Sequence, residues 1–151
     1  CPILCYTKNC SKRTVPSTWI NMDITEMKPV FEDQRGSIWD FLTDETIHHI
    51  GFLISKKDSI RGKHFHKEQK QYTLVLSGKI KVTVKDLQDK NSELEVKELK
   101  RMDMVFFPPY MYHAIEALED CECLVFTSKS RKDYGYEEDT FRIEDINSFN
   151  L

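Results

Sequence analysis

From Ile24 onward the apolar residues fall in short runs, rich in β-branched and aromatic side chains and separated by turn-forming residues. Ile47 to Ser55, Gln71 to Leu76 and Ile80 to Val84 are each about one strand long, and Ile80, Val82 and Val84 recur with period two. Glu93 to Leu99 sets Leu94, Val96 and Leu99 among charged residues, the pattern of a strand with one wet face. Met104 to Phe107 and Cys121 to Thr127 complete the series. Ser77-Gly78-Lys79 and Asp89 to Ser92 are the predicted hairpin turns, because Gly and Asn accept positive φ at little cost. Helix is confined to a short terminal turn over Ile143 to Phe149. Many short strands joined by turns predict an all-β sandwich or barrel.

Residues 1–22 are polar, carry Pro2 and Pro16 and keep no period, so they read as an N-terminal arm or linker. One domain is expected over 23–151, since 151 residues at 40% hydrophobic can bury a core without staples. No charged region followed by a long apolar run opens the chain, and no signal peptide is expected.

Charge narrows the partners. The net charge is −3, with 22 basic and 25 acidic residues interspersed, which leaves no extended basic face for nucleic acid or an anionic membrane. A small anion held by a few local cations stays open. Apolar stretches such as Met104 to Phe107 are far shorter than the roughly 20 residues a membrane helix needs, so no membrane partner is expected. Five cysteines, at 1, 5, 10, 121 and 123, form neither a disulfide framework nor a zinc knuckle. On a strand, Cys121, Cys123 and Val125 share one face, where a free Cys packs as a small hydrophobe. A reducing, cytoplasmic compartment is the expectation.

Two blocks carry candidate chemistry. Arg61 to Gly78 reads Arg-Gly-Lys-His-Phe-His-Lys-Glu-Gln-Lys-Gln-Tyr-Thr-Leu-Val-Leu-Ser-Gly. On extended backbone His64 and His66 project from the same face, as a shared substrate or metal requires. The second block, Phe107-Pro108-Pro109-Tyr110-Met111-Tyr112-His113, fixes the approach to a later strand with two prolines and places a histidine just beyond.

Together these blocks resemble the paired motifs of the cupin superfamily. There a His-x-His pair, an acidic residue, a glycine and a Pro-x-Gly-x-x-His block line one end of a double-stranded β-helix, the jelly-roll barrel. Gln71 stands at the acidic position and Tyr110 at that of the second block's glycine. Within the superfamily, Asp33-Gln34-Arg35-Gly36, the Arg61-Gly62-x-His64-x-His66-Lys67 strand, Gln71, Gly78 and the Pro-Pro block resemble dTDP-sugar 3,4-ketoisomerases. More distantly they resemble dTDP-4-dehydrorhamnose 3,5-epimerases.

The resemblance implies an isomerase of deoxysugar and polysaccharide biosynthesis that needs no cofactor and acts on a nucleotide-diphosphate 4-keto-6-deoxy sugar. A 4-ketone acidifies the hydrogen on the neighbouring carbon, and a histidine that is neutral near pH 7 can remove it. His64 would be the base, and His66 would position the sugar or shuttle the proton. Arg61 would pair with the diphosphate, which suits its planar fork. His113 and Gln71 would close the pocket floor. Tyr72, Tyr110 and Tyr112 are the candidate proton donors, Tyr72 being assigned to the catalytic set. Lys63, Tyr112 and Arg131 join Arg61, Gln71 and His113 as substrate contacts. The late-strand tyrosine of the 3,5-epimerases has no counterpart in Cys123 to Phe126, and Phe52 stands where the ketoisomerases carry a tyrosine. A homodimer is implied as well.

Two other readings stay open. In a metal cupin, His64, His66 and His113 would give three nitrogens to a divalent metal, with Gln71 as a weak oxygen ligand. In a binding module, the sugar pocket would persist without catalysis. Arg35, Arg131 and Arg142 suit either a diphosphate or an ordinary surface. His48 and His49 alternate on a strand and read as structural, and Ser128 to Lys132 reads as a solvated turn.

Overall fold

The computed structural model describes residues 22–149. In chain order the strands are β1 (Asp23–Glu26), β2 (Phe31–Asp33), β3 (Gly36–Ile38), β4 (His49–Ser55), β5 (Ile60–Phe65) and β6 (Gln71–Ser77). They continue with β7 (Ile80–Asp86), β8 (Glu95–Leu99), β9 (Asp103–Phe107), β10 (Met111–Ala117), β11 (Cys121–Thr127) and β12 (Phe141–Arg142). A one-turn helix, α1 (Gly135–Glu138), precedes β12, and a 3-10 turn at Ile146–Ser148 answers to the predicted terminal turn.

The strands form two five-stranded antiparallel sheets, ordered β1-β9-β6-β11-β4 and β12-β5-β10-β7-β8, with β2 and β3 as a separate hairpin. This is the jelly-roll arrangement expected. Short connections carry the chain back and forth from one sheet to the other, so the two inner faces satisfy their apolar positions against each other.

Alternation decides which residues meet. Val75 of β6, Ile80, Val82 and Val84 of β7, Val105 and Phe107 of β9, Ile115 of β10 and Cys121 and Cys123 of β11 are buried in one cluster. Both cysteines are free and core-facing, as their spacing predicted. Outward-facing Leu74, Met104 and Phe126 form a second cluster under Phe41, Leu42 and Ile47. Phe65, Leu87, Tyr112, Ile143 and Ile146 form a third, where the C-terminal segment lies against the second sheet.

The predicted turns hold for a visible reason. Gly78, between β6 and β7, has φ +74 and a Cβ there would sit 2.4 Å from the carbonyl oxygen of Asp120, so only glycine fits. In the Asp89–Ser92 turn, the Asp89 carboxylate accepts the Asn91 N–H and the Asp89 carbonyl accepts that of Ser92. The proposed N-terminal arm lies outside the described residues except for Met22, which is buried in the core cluster.

Candidate active site

Register places the site. His113 of β10 pairs with His64 of β5, whereas the next residue, Ala114, pairs with Gly62. Lys63 is therefore the extra residue of a β-bulge, and both Gly62 (φ +87) and Lys63 (φ 56) take left-handed backbone. A Cβ on Gly62 would come within 2.7 Å of the carbonyl oxygen of His113, which explains the glycine. Arg61 and His64, three residues apart, would face opposite ways on a regular strand. The bulge brings both to one cavity.

That cavity, about 390 Å³, is lined by Arg61, His64, Gln71, His113, Arg131, Tyr136 and Arg142, with Leu53, Ile115 and Val125 as apolar wall. Two of its lining residues, His64 and His113, cluster with a third buried imidazole, His66, which is not itself part of the lining. The ring of His64 lies 4.8 Å from that of His66 and 4.7 Å from that of His113, and Phe107 stacks under His113 at 4.3 Å.

Hydrogen bonds fix two of the three tautomers. Nδ1 of His66 lies 2.8 Å from the Asp139 carbonyl oxygen, and Nδ1 of His113 lies 3.0 Å from that of Met111. A carbonyl only accepts, so in the neutral rings Nδ1 carries the proton and Nε2 carries a lone pair. Both Nε2 atoms are buried without a protein partner, an unmet demand for a donor or a metal. The ring nitrogens of the three histidines lie within 4.8 Å of one another, and no carboxylate belongs to the group.

Electrostatics keeps the cluster neutral. Burial, helped by His66, Arg142 and Arg131, pushes the His64 pKa down to about 4. Burial lowers His66 too, against the opposing pull of Asp139, and holds the fully enclosed His113 well below the ordinary imidazole value. At pH 7 His64 is thus an unprotonated base. The arginines supply the positive field. Arg61 donates Nε–H to Ser55 Oγ (2.9 Å) and Nη2–H to the Ile54 carbonyl (3.0 Å), which ties β4 to β5 and aims the guanidinium. Arg131 lies 4.2 Å over the ring of Tyr136, and Arg142 pairs with Glu137 at 3.2 Å.

Several expected contacts are not in the cavity. Tyr72 alternates with the inward-facing Gln71 and Thr73, so its ring turns outward to stack on Phe106 at 4.6 Å. Its hydroxyl donates to Glu45 at 2.8 Å, and burial with that carboxylate raises its pKa to about 12. Tyr72 therefore does not belong with the buried histidines. Tyr112 alternates with His113 and is buried in the outer cluster beside Phe65 and Ile143, not against a ligand space. Lys63 is thrown out by the bulge, and its carbonyl accepts the Ile143 N–H. Tyr110 has φ 62, the backbone for which the cupin motif uses glycine, and its ring stacks on Phe65. Phe52 points to the outer face of β4 and is exposed. Arg35 pairs with Asp33 on the outlying hairpin.

Arg131, expected as a substrate contact, does line the cavity, from a segment whose Ser130, Arg131 and Lys132 are exposed as a solvated turn requires. Tyr136 and Asp139 were not singled out in the sequence. Tyr136 sits 5.7 Å from His66 and 6.4 Å from His64, centroid to centroid. The buried Asp139 carboxylate accepts the backbone N–H groups of Lys67, Glu68 and Gln69. It pins the C-terminal segment to the turn that follows His66. A polar stretch with no period gives no signal for any of this; only its Tyr and Arg content hinted at chemistry.

No described helix is long and apolar enough to cross a membrane. No curated protein sequence matches the chain. Among solved structures it is similar to the WlaRB TDP-quinovose 3,4-ketoisomerase from Campylobacter jejuni, with 18% identity over 82% of this chain and 93% of that one and a TM-score of 0.67. It is similar to a 3,4-ketoisomerase from Helicobacter canadensis, at 20% identity over 83% and 92% of the two chains and a TM-score of 0.65. The Mycobacterium tuberculosis rmlC epimerase aligns at 18% identity over 80% and 67%, with a TM-score of 0.66. Likeness at these identities establishes the RmlC-like cupin fold. The family model described as "Polysaccharide biosynthesis C-terminal domain" matches residues 31–141, and the chain belongs to that family.

Proposed function

We propose that the chain is a nucleotide-sugar isomerase of the 3,4-ketoisomerase type, with His64 as the base. The observation that carries the reading is a buried imidazole, His64, in a cavity lined by three arginines. A base that removes a proton next to a ketone must be unprotonated at working pH, and burial lowers the His64 pKa toward that state. An anionic tail must be held while the sugar reacts, and Arg61 has three N–H groups left after its bonds to Ser55 and Ile54. The unpartnered Nε2 atom of His113, which lines the cavity, accepts a sugar hydroxyl. Solved neighbours of the same fold include the QdtA 3,4-ketoisomerase from Thermoanaerobacterium thermosaccharolyticum in complex with TDP, at 23% identity. Turnover of a nucleotide-linked 4-keto-6-deoxy sugar, abolished by His64→Asn while the nucleotide still binds, is the expected result. Binding without turnover by the wild-type protein would make it a binding module instead.

A metal-dependent reading has its own observation, the two unsatisfied Nε2 lone pairs of His66 and His113 beside His64. These three nitrogens would hold a divalent transition metal, which would polarise a substrate oxygen. Protein purified without a histidine tag should then carry close to one equivalent of metal and lose activity to a chelator. Less than about a tenth of an equivalent, with activity indifferent to chelator, rules it out.

A homodimer completes the reading. Among the described residues β4 is an edge strand of its sheet and exposes Ile50, Phe52 and Ile54 at 66%, 57% and 56% along its outer face. An apolar row on an open edge calls for a partner, and a second copy is the simplest. The free thiols of Cys121 and Cys123 and the nucleotide-sugar substrate support a cytoplasmic location.

A further inference from the structure

We propose that Tyr136 is the residue that passes a proton between the two substrate oxygens, on the footing of the isomerase reading above. Isomerisation moves a ketone to its neighbouring carbon, so two proton transfers are needed, one between carbons and one between oxygens. His64 accounts for the first alone.

The tyrosines can be taken one at a time. Tyr72 turns outward to Glu45, Tyr112 is packed in the outer cluster, Tyr110 stacks on Phe65, and Tyr134 is 81% exposed with left-handed backbone. Among the described tyrosines, Tyr136 lines the cavity and lies against both His64 and His66. Its backbone is held at both ends of the turn. The Tyr136 carbonyl accepts the Thr140 hydroxyl at 2.5 Å, and the neighbouring Asp139 grips the amides of Lys67 to Gln69. Its ring is fixed under the Arg131 guanidinium. That cation lies where negative charge arises when the phenol gives up its proton.

The step balances without an outside oxidant. His64 takes the hydrogen from the carbon beside the ketone as a proton, and the released electron pair forms a carbon–carbon double bond. The ketone oxygen, now carrying the displaced pair, receives the proton of Tyr136. The tyrosinate then takes the proton of the neighbouring hydroxyl, whose oxygen becomes the new ketone, and His64 returns its proton to the former ketone carbon. One carbon is oxidised, the other reduced, and both side chains end as they began.

The test compares wild type, His64→Asn, Tyr136→Phe and, as a control outside the cavity, Tyr72→Phe. Phenylalanine keeps the ring and the stacking of Arg131, so nucleotide affinity and thermal midpoint should match wild type. Turnover by Tyr136→Phe should fall ~100-fold or more, the usual range for loss of a proton-transfer group, while Tyr72→Phe stays at the wild-type rate. A fall of less than about tenfold with Tyr136→Phe, in a wild-type protein that is active, overturns the assignment and leaves the isomerase reading standing. A wild-type protein that converts no nucleotide-linked 4-keto sugar overturns both.

Discussion

The backbone carbonyl of Asp139 accepts the Nδ1 proton of His66, while the Asp139 side chain accepts three successive amides of the turn that follows His66. One residue of the C-terminal segment thus sets an imidazole's tautomer and ties that segment to the β5–β6 turn. Asp139→Ala removes a buried, charged acceptor from amides that have no other partner. Each such bond is worth roughly 1.5–3 kcal/mol, and orphaned donors add to the loss. Asp139→Ala should therefore lower unfolding free energy by about 3 kcal/mol, read by urea denaturation. Asp139→Asn, which still accepts through its oxygen, should lose less.

Acid should act through the histidines. His64 has its folded pKa lowered to about 4 from 6.5, so below pH 6.5 the unfolded chain binds the proton more readily than the folded one. Stability is complete above pH 6.5 and falls as pH drops toward 4, by about 3 kcal/mol from His64 alone. His66 and His113, shifted the same way, add to that direction. Denaturation midpoints measured from pH 7.5 to 4.5 should decline steadily, and kcat/KM should hold from pH 7.5 down to about 5.

Tyr72 gives a contrast on the opposite face of its strand. Its hydroxyl bonds only to Glu45 at the surface side, so Tyr72→Phe should cost at most about 1 kcal/mol and leave kcat and KM unchanged. Steady-state kinetics with the nucleotide sugar check this.

The apolar row on β4 predicts the assembly. Placing a charge in a covered row of Ile50, Phe52 and Ile54 disrupts it, whereas on an exposed face it costs nothing. Phe52→Asp should shift the light-scattering mass from a dimer to near 17.9 kDa with the thermal unfolding of the barrel retained. A wild-type mass already near that value contradicts the dimer.

Strands were the most legible part of the sequence. Cys121–Thr127 forms as its alternation predicts, because Cys121, Cys123 and Val125 are buried on one face while Leu124 and Phe126 pack in the outward-facing cluster. The His64, Gln71 and His113 set was legible for the same reason. Parity could also have excluded Tyr72 and Tyr112, which alternate with Gln71 and His113 and so face away from them. Lys63 was harder, since a bulge inserts one residue and inverts the faces on either side of it. Nothing in Gly62-Lys63 announces that except the glycine. Tyr136 and Asp139 were not legible, and Arg142 was legible only as a cation that suited a diphosphate or the surface alike. Tyr136 and Arg142 line the cavity where β12 pairs with β5, a two-residue contact made across a long separation in sequence.

The central claim is that His64 moves a proton at the carbon beside a ketone. Wild-type protein and His64→Asn, incubated with a nucleotide-linked 4-keto-6-deoxy sugar in deuterium oxide, should differ in the mass of the recovered sugar. Deuterium at the former ketone carbon of the product, and at the neighbouring carbon of substrate re-formed by the reverse reaction, with wild type, and none above the uncatalysed rate with His64→Asn, is the result predicted. Equal incorporation by the two proteins would contradict it.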